Sequence, residues 1–157
     1  MEGRMDELID SLPALKKKLR SMRDTLLTNL VMLGEIPAPT FREEHRRRFL
    51  INRFNQYQLL NCSTDEVGNG LGILPGTTGE RNILVVAHMD TVFDESVDHN
   101  ITIHPQMVSG PGVGDNALGL SVVATLPALL EELEIELKSN IILMGSSRSL
   151  GRGNIEG

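Results

Sequence analysis

The sequence predicts an α/β fold with a largely parallel sheet. Residues 83–87 and 141–144 are short apolar runs bounded by turn signals, which is typical of strands buried on both faces. Segments whose apolar residues recur at helical spacing alternate with these runs along the chain. This alternation of helices with buried strands indicates the α/β class.

The charge, the cysteine content and the distribution of apolar residues exclude several classes of binding partner and of cellular location. The formal net charge of −6 argues against nucleic acid and anionic membranes, because both bind basic surfaces. The single cysteine, Cys62, cannot form an internal disulfide, and no stretch approaches the roughly 18 uninterrupted apolar residues of a membrane helix. The N-terminal segment also lacks the apolar core of a signal peptide, so we expect a cytoplasmic protein.

Residues 1–35 are expected to form a helical segment. Asp10 or Ser11 can cap a helix whose first turn contains Pro13, and Gly34 can end it. Spacings of three and four place one apolar stripe along it, formed by Leu19, Met22, Leu26, Leu30 and Leu33. The basic residues between 16 and 23 lie mostly off this stripe and are interpreted as a solvated face.

The rest of the chain alternates between helices and strands. After a proline-stiffened turn at 36–40, a helix is predicted over 41–57, with Thr40 and Glu43 as its capping box. The basic run Arg46, Arg47 and Arg48 is interpreted as solvated surface. Further predicted elements are a glycine-interrupted strand over 67–74, a polar loop with a short edge strand over 94–106, and a helix from about 116 to 133.

Chemistry is expected first where the strand of residues 83–87 ends. His88 and Asp90 follow it, and side chains two apart in a strand point the same way. Open α/β sheets place their sites at the carboxyl ends of strands, and a carboxylate behind an imidazole supports a metal ligand. The alternative is structural, with Asp90 simply satisfying a buried ring.

A second candidate lies in the glycine-rich segment 109–116. Its glycines let the backbone bend sharply, and Asp115 then stands at the start of the next predicted helix. Taken alone, this segment favours Asp115 as a helix cap over a functional role. His99 and His104 are interpreted as surface histidines. The serines of residues 146–149 are interpreted as loop residues, because no nucleophile-elbow pattern accompanies them.

Together the two segments resemble the co-catalytic zinc metallopeptidases that include aminoacylases, carboxypeptidase G, succinyl-diaminopimelate desuccinylases and peptidase T. The resemblance runs from Ile36 onward and includes the Ile-Pro-x-Pro turn, the Asn-Gly-Leu-Gly motif at 69–72 and the tail at 150–157. It implies a three-layer sandwich with helices flanking a mixed sheet, incomplete here. Residues 1–35 would be an N-terminal helical segment and 36–157 a partial catalytic domain, followed in the family by a lid domain and the remaining catalytic half.

The resemblance also assigns roles. His88 matches a zinc ligand, Asp115 the carboxylate that bridges two zinc ions, and Asp90 the partner that orients His88. The family places a cis peptide after the bridging aspartate, here between Asp115 and Asn116. The implied cofactor is therefore a pair of zinc ions, and the implied substrate is a peptide or an N-acyl amino acid.

The pattern breaks at the next family motif, a strand followed by two glutamates. Aligned on the Leu-Gly of 150–151, Ser147 occupies the general-base position and Arg148 the position of a metal ligand. Neither can replace a glutamate, because serine is no base near neutral pH and arginine has no lone pair to offer. We hypothesise that Arg148 pairs with Asp115 instead; the alternative is that it points into solvent.

Three functions remain open at this point. The chain is a two-metal amidohydrolase only if missing ligands come from another chain or a longer parent protein. Otherwise it is a pseudoenzyme that binds a peptide or another protein in the inherited cleft, or a truncated fragment. We expect metal binding to be weak and catalysis absent in the chain alone. Self-association is expected through an exposed strand edge.

Overall fold

A computed structural model describes residues 2–157, with side chains described from residue 9 onward. The helices are α1 (Glu2–Ser21), α2 (Arg23–Gly34), α3 (Glu44–Gln56) and α4 (Leu118–Glu132). The strands are β1 (Leu60–Thr64), β2 (Gly70–Leu74), β3 (Asn82–His88), β4 (Thr102–Ile103), β5 (Val108–Ser109) and β6 (Asn140–Ser146). A π turn (Val113–Ala117) precedes α4, and a short 3₁₀ turn (Gly151–Gly153) follows β6.

The N-terminal segment is helical as predicted, but its internal boundaries differ. Helix α1 already begins at Glu2 and runs through Pro13, so the predicted cap at Asp10 or Ser11 is wrong. A proline inside a helix removes one backbone hydrogen bond, and the helix formers around it continue the turn. The break between α1 and α2 falls at Met22, and Leu30 and Leu33 of α2 are buried in the core.

Four strands form a mixed sheet in the order β1-β2-β6-β3. The α/β class with a mixed sheet is confirmed, although only the β3–β6 pair is parallel among the described strands of this sheet. In that pair His88 lies opposite Ser146, so both carboxyl ends meet at one edge of the sheet. Strand β1 was not predicted, because its side chains are mostly exposed and show no alternation.

Helices α3 and α4 cover one face of this sheet, and α2 packs against α4. The core between them contains Leu33, Leu50, Phe54, Leu59, Ala87, Met89, Leu120, Val123, Ala124, Ile141 and Leu143. The absence of a side chain at Gly145 lets Leu50 and Met89 lie against β6. The stretch Val113–Glu132 is long and apolar enough to cross a membrane by length and composition. Its buried residues Leu120, Val123 and Ala124 show that it serves here as a core helix.

The opposite face of the sheet is open in the described part of the chain. Leu84 and Val86 of β3 point to that face and are 54% and 45% exposed. The prediction that this strand is buried on both faces is therefore wrong, since no described element covers the face to which Leu84 and Val86 point. A β-branched apolar run has the same sequence pattern whether one or both faces of the strand are covered, and only the elements packed against it distinguish the two cases. The sandwich is thus incomplete, with one helical layer on one face.

Candidate active site

The end of β3 brings His88 and Asp90 together. The ring Nδ1 of His88 lies 3.0 Å from the Asp90 carbonyl oxygen and 3.4 Å from its Oδ1. On the other side of the ring, Nε2 lies 2.9 Å from Asp115 Oδ1. Nδ1 thus faces Asp90 and Nε2 faces Asp115, and the tautomer of the ring sets which nitrogen donates. This is the orientation that a metal-binding imidazole needs.

Asp90 is fully buried and connects three segments. Its Oδ2 accepts hydrogen bonds from the Thr40 hydroxyl at 2.9 Å and the Leu150 backbone N–H at 2.8 Å. Its Oδ1 is buried without a hydrogen-bond partner among the described residues, with His88 Nδ1 as its neighbour. The predicted capping role of Thr40 is wrong, because its hydroxyl bonds Asp90 and not the first turn of α3.

Asp115 lies in the π turn before α4. Its backbone is non-helical, and the Asp115–Asn116 peptide is cis, as the resemblance predicted. The side chain of Asp115 is 73% exposed. Asn116 and not Asp115 accepts a hydrogen bond from the first turn of α4, through the Gly119 N–H. Asp115 is therefore free of a capping bond to this helix and faces His88.

Ser147 and Arg148 do not join this group. The Ser147 hydroxyl is buried and donates to the Gly68 carbonyl at 2.6 Å, so it faces β2 and not His88. Arg148 has a positive φ of 52°, and its guanidinium pairs with Glu156 at 3.2 Å while stacking over the Phe41 ring. The hypothesised pair between Arg148 and Asp115 is therefore wrong.

The backbone of the segment 147–150 is nevertheless fixed by side chains from elsewhere. Asn69 Oδ1 accepts the Ser147 N–H at 2.8 Å, and Glu43 Oε1 accepts the Arg148 N–H at 2.9 Å. Asp90 accepts the Leu150 N–H, as described above. Asn69 is in turn bound by Asp65, whose Oδ1 also accepts three backbone N–H groups. Three polar side chains therefore hold one short loop at the end of β6.

Arg46 is the residue that sequence reasoning most clearly misread. It was interpreted as solvated surface, yet it is fully buried. Its guanidinium donates to the carbonyl oxygens of Ile36, Met89 and Gly34 at 2.8, 2.8 and 3.3 Å. Burial lowers the pKa of Arg46 to about 10, and the nearby Asp90 charge acts in the opposite direction. Arg46 thus ties the turn after α2 to the peptide between His88 and Asp90.

His99 is a second residue whose environment differs from its prediction. It was interpreted as a surface histidine, but only 6% of it is exposed. Its Nε2 lies 3.0 Å from the Asp94 carbonyl oxygen, so that nitrogen carries the donated proton. His99 therefore supports the loop after β3 and does not approach the His88 pair in any contact of the described residues.

The potential metal ligands of this site are too few for the two zinc ions that the family resemblance implies. His88 and Asp115 present two potential ligands at one edge of the sheet. No group of three or more histidine, cysteine, aspartate or glutamate side chains that could hold a metal exists among residues 9–157. Zinc sites take three or four protein ligands. Residues 9–157 therefore do not form the two-metal centre on their own.

The sequence matches a peptidase family. The family model described as Peptidase family M28 matches residues 69–147, half of the chain, from Asn69 on β2 to Ser147 after β6. The chain belongs to Peptidase family M28. No curated protein matches this M28 chain in sequence.

Solved peptidase structures share the fold of this M28 chain. The dipeptidase Dug1p from Saccharomyces cerevisiae is 14% identical with a TM-score of 0.77, over 88% of this chain and 35% of that one. Aminopeptidase PepT from Bacillus cereus is 20% identical with a TM-score of 0.66, over 83% and 40%. A dinuclear metal-binding M20 peptidase from Bacillus subtilis is 12% identical with a TM-score of 0.57, over 82% and 36%. The chain thus spans about a third of the length of these proteins.

Proposed function

We propose that this chain keeps the scaffold of a dinuclear zinc peptidase but does not by itself hydrolyse peptide or N-acyl amide bonds. The observation that carries the proposal is the end of β6. Residues 145–151 contain no aspartate or glutamate, so the conclusion holds whichever two of them align with the glutamate pair. Loss of a general base alone lowers a rate by about 10²–10⁴-fold.

The electrostatics of the segment support the same conclusion. The charge that replaces the acidic pair is the Arg148 guanidinium, which would repel a metal and is engaged by Glu156. The two remaining donors, His88 and Asp115, already contact each other at 2.9 Å. A third ligand is needed before zinc binds with useful affinity. The chain alone is therefore proposed to bind zinc weakly and to leave amides intact.

The same site is proposed to bind a peptide or an N-acyl amino acid without cleaving it. The fold is that of peptidases, and His88 and Asp115 lie beside each other at its carboxyl edge. We also propose that this M28 chain shares its substrate class with aminoacylases, carboxypeptidase G, succinyl-diaminopimelate desuccinylases and peptidase T, whose motifs its own motifs resemble, and that it is cytoplasmic. These assignments rest on the motif at 88–90, the motif at 110–116 and the charge balance.

A second candidate function is catalysis completed by another polypeptide. It is favoured by the open face and free edge of β3, where Leu84 and Val86 are exposed beside His88. A chain that covered this face would lie close to His88 and Asp115 and could supply the missing ligands. Under this alternative the isolated chain is inactive, and activity depends on the added partner.

Metal content and hydrolysis test the proposal directly. The purified chain is measured for bound metal, titrated calorimetrically with zinc, and assayed on dipeptides and N-acyl amino acids beside an active dinuclear peptidase. We expect substoichiometric zinc and turnover equal to that of the variant His88→Ala. Two tightly bound zinc ions per chain, with turnover that His88→Ala abolishes, would refute the proposal.

A further inference from the structure

A cavity of about 780 Å³ opens at the end of the sheet opposite to His88. Leu74 at the end of β2 and Ile141 near the start of β6 are register partners, and both line the cavity. His88 pairs with Ser146 at the far end of β6, which places the cavity roughly 17 Å from that edge of the sheet. We refer to it as the amino-end cavity, and its volume lies in the range of small-molecule sites.

Backbone hydrogen bonds fix one wall of this cavity, where the turn after β2 lies against the segment before β6. The Thr77 N–H donates to the Leu137 carbonyl oxygen at 2.8 Å. The Gly76 N–H donates to Asn140 Oδ1 at 2.9 Å, and a side chain at Gly76 would collide with the backbone just before Asn140. The two segments therefore pack closely, and the wall is formed without a ligand.

Apolar side chains contribute much of the lining. They are Tyr57, Leu74, Pro127, Leu130, Leu137 and Ile141. All of them except Pro127 belong to the hydrophobic core or pack against it. The apolar part of a ligand is removed from water here, which favours binding by about 25 cal/mol for each Å² of apolar surface buried.

The C-termini of helices α3 and α4 meet at the amino-end cavity. Each helix ends in a Schellman motif, in which a residue of positive φ reverses the chain, Gln58 after α3 and Glu134 after α4. Tyr57 beside the first reversal and Ile135 beside the second both line the cavity. Because a helix C-terminus carries roughly half an elementary negative charge, the two ends together make the cavity electronegative.

Glu131 and Glu136 add negative charge to the same lining. Both are exposed, and neither forms an ion pair with a described residue. Among residues 9–157, no lysine, arginine or histidine lines the cavity, and Arg53 in the last turn of α3 is engaged by Gln56 and Met32. The same residues contain no group of three or more acidic, histidine or cysteine side chains that could hold a metal ion. The charge of the cavity therefore suits an organic cation better than a metal ion.

We propose that the amino-end cavity binds a small organic ammonium ion with an aliphatic or aromatic body. The body lies against the apolar lining, and the ammonium group faces Glu131, Glu136 and the two helix ends. The ring of Tyr57 offers a further favourable surface for a cation. A neutral ligand of the same shape gains the apolar burial alone, and an anion is repelled. This site is separate from the one at His88, so it does not rest on the function proposed for that edge.

Nuclear magnetic resonance titration of the full chain tests the proposal with three probes that share one phenylethyl body. The probes are 2-phenylethylammonium, 2-phenylethanol and 3-phenylpropionate, which are a cation, a neutral molecule and an anion. We expect the cation to give saturable shifts of the Gln58, Thr77 and Leu137 amides. Its dissociation constant should be at least about 5-fold lower than that of the alcohol, because helix ends and exposed carboxylates each contribute modestly. The anion should give no saturable shift.

Charge variants test which residues hold the cation. Glu131→Gln with Glu136→Gln should raise the dissociation constant of 2-phenylethylammonium about 5-fold and leave that of the alcohol unchanged. The matched control is Glu66→Gln with Glu132→Gln, which removes the same charge from exposed positions outside the cavity and should change neither constant. The amide spectrum of each variant shows whether it is folded.

His88→Ala separates this proposal from the function proposed for the other edge of the sheet. It should bind 2-phenylethylammonium as the native chain does. Four results would overturn the proposal: no saturable shift with the cation, equal affinity for all three probes, shifts confined to His88 and Asp115, or an equal loss of affinity in the two double variants.

Discussion

The carboxyl ends of the neighbouring strands β3 and β6 differ in the side chains that they present. At the end of β3, the His88 ring contacts both Asp90 and Asp115, and histidine and aspartate are residue types that can bind a metal. At the end of β6, directly opposite in the parallel pair, the segment has no acidic side chain. Its backbone is nevertheless held by Asn69, Glu43 and Asp90. The shape of a site and its chemistry are thus determined by separate residues.

Asp90 shows why the shape persists. One carboxylate serves both strand ends, since it lies beside the His88 ring and accepts the Leu150 N–H. A substitution that changes the ligands at 147–149 leaves this bond in place, because the bond uses the backbone. The fold of the loop therefore does not depend on whether its side chains can bind a metal.

The largest expected effect comes from removing Arg46, on which the β3 end depends. Arg46→Leu leaves the carbonyls of Ile36, Met89 and Gly34 without their donor. Unsatisfied buried groups are costly, so we expect the free energy of unfolding to fall by about 3 kcal/mol. Urea denaturation followed by circular dichroism measures it.

The same basic run supplies a matched control. Arg48 is exposed and pairs with Glu44 on the surface of α3. Arg48→Leu should change the free energy of unfolding by no more than about 0.5 kcal/mol, because exposed ion pairs contribute little. Equal losses in the two variants would show that the buried guanidinium is not what supports the β3 end.

A smaller loss is expected from Asp90, which joins the two strand ends. Asp90→Ala removes the acceptor of Thr40 and Leu150, and we expect a cost of about 2–3 kcal/mol. Asp90→Asn retains an oxygen that can accept one of these bonds, so its cost should be about half as large. Chemical denaturation compares the pair. An alanine variant as stable as the native chain would mean that the β6 loop is held without Asp90.

The sequence could predict the elements and the convergence of His88, Asp90 and Asp115, for physical reasons. Periodicity reports which side of an element is apolar, and parallel strands bring their carboxyl ends to one edge. The two runs of residues 83–87 and 141–144 were therefore recognised as strands. Whether a helix covers each face of a strand depends on the rest of the fold, so the exposure of Leu84 and Val86 could not be foreseen.

The polar side-chain contacts could not be predicted from the sequence, for a related reason. Arg46 and Arg48 belong to one basic run and have the same side chain, yet one is buried beneath carbonyl oxygens and the other is exposed. The difference arises because the turn after α2 folds back over the start of α3 and presents its carbonyls there. Arg148 likewise pairs with Glu156 and has a positive φ, neither of which its residue type indicates.

The smallest predicted effect is on stability at low pH, and it arises from Asp65, which supports the β6 loop indirectly through Asn69. In the folded chain, burial of Asp65 acts to raise the pKa of its carboxyl group, but hydrogen bonds from Asn69, Gly68 and Val67 outweigh it and lower the pKa. A carboxylate whose pKa is lowered by folding stabilises the folded state at pH values above its pKa in the unfolded chain, which is about 3.9. This contribution is lost as the pH falls through the lower, folded value.

Asp65→Asn should therefore reduce the acid sensitivity of the chain. We expect its urea midpoint to be below that of the native chain near neutral pH, and the difference to shrink at pH values below about 4. The substitution Glu66→Gln at the exposed next residue controls for net charge. Because Asp65 holds Asn69 and Asn69 holds the Ser147 N–H, hydrogen exchange at Ser147 should quicken in Asp65→Asn alone. An unchanged exchange rate at the Ser147 amide would show that the β6 loop does not depend on Asp65 and is supported by Glu43 and Asp90.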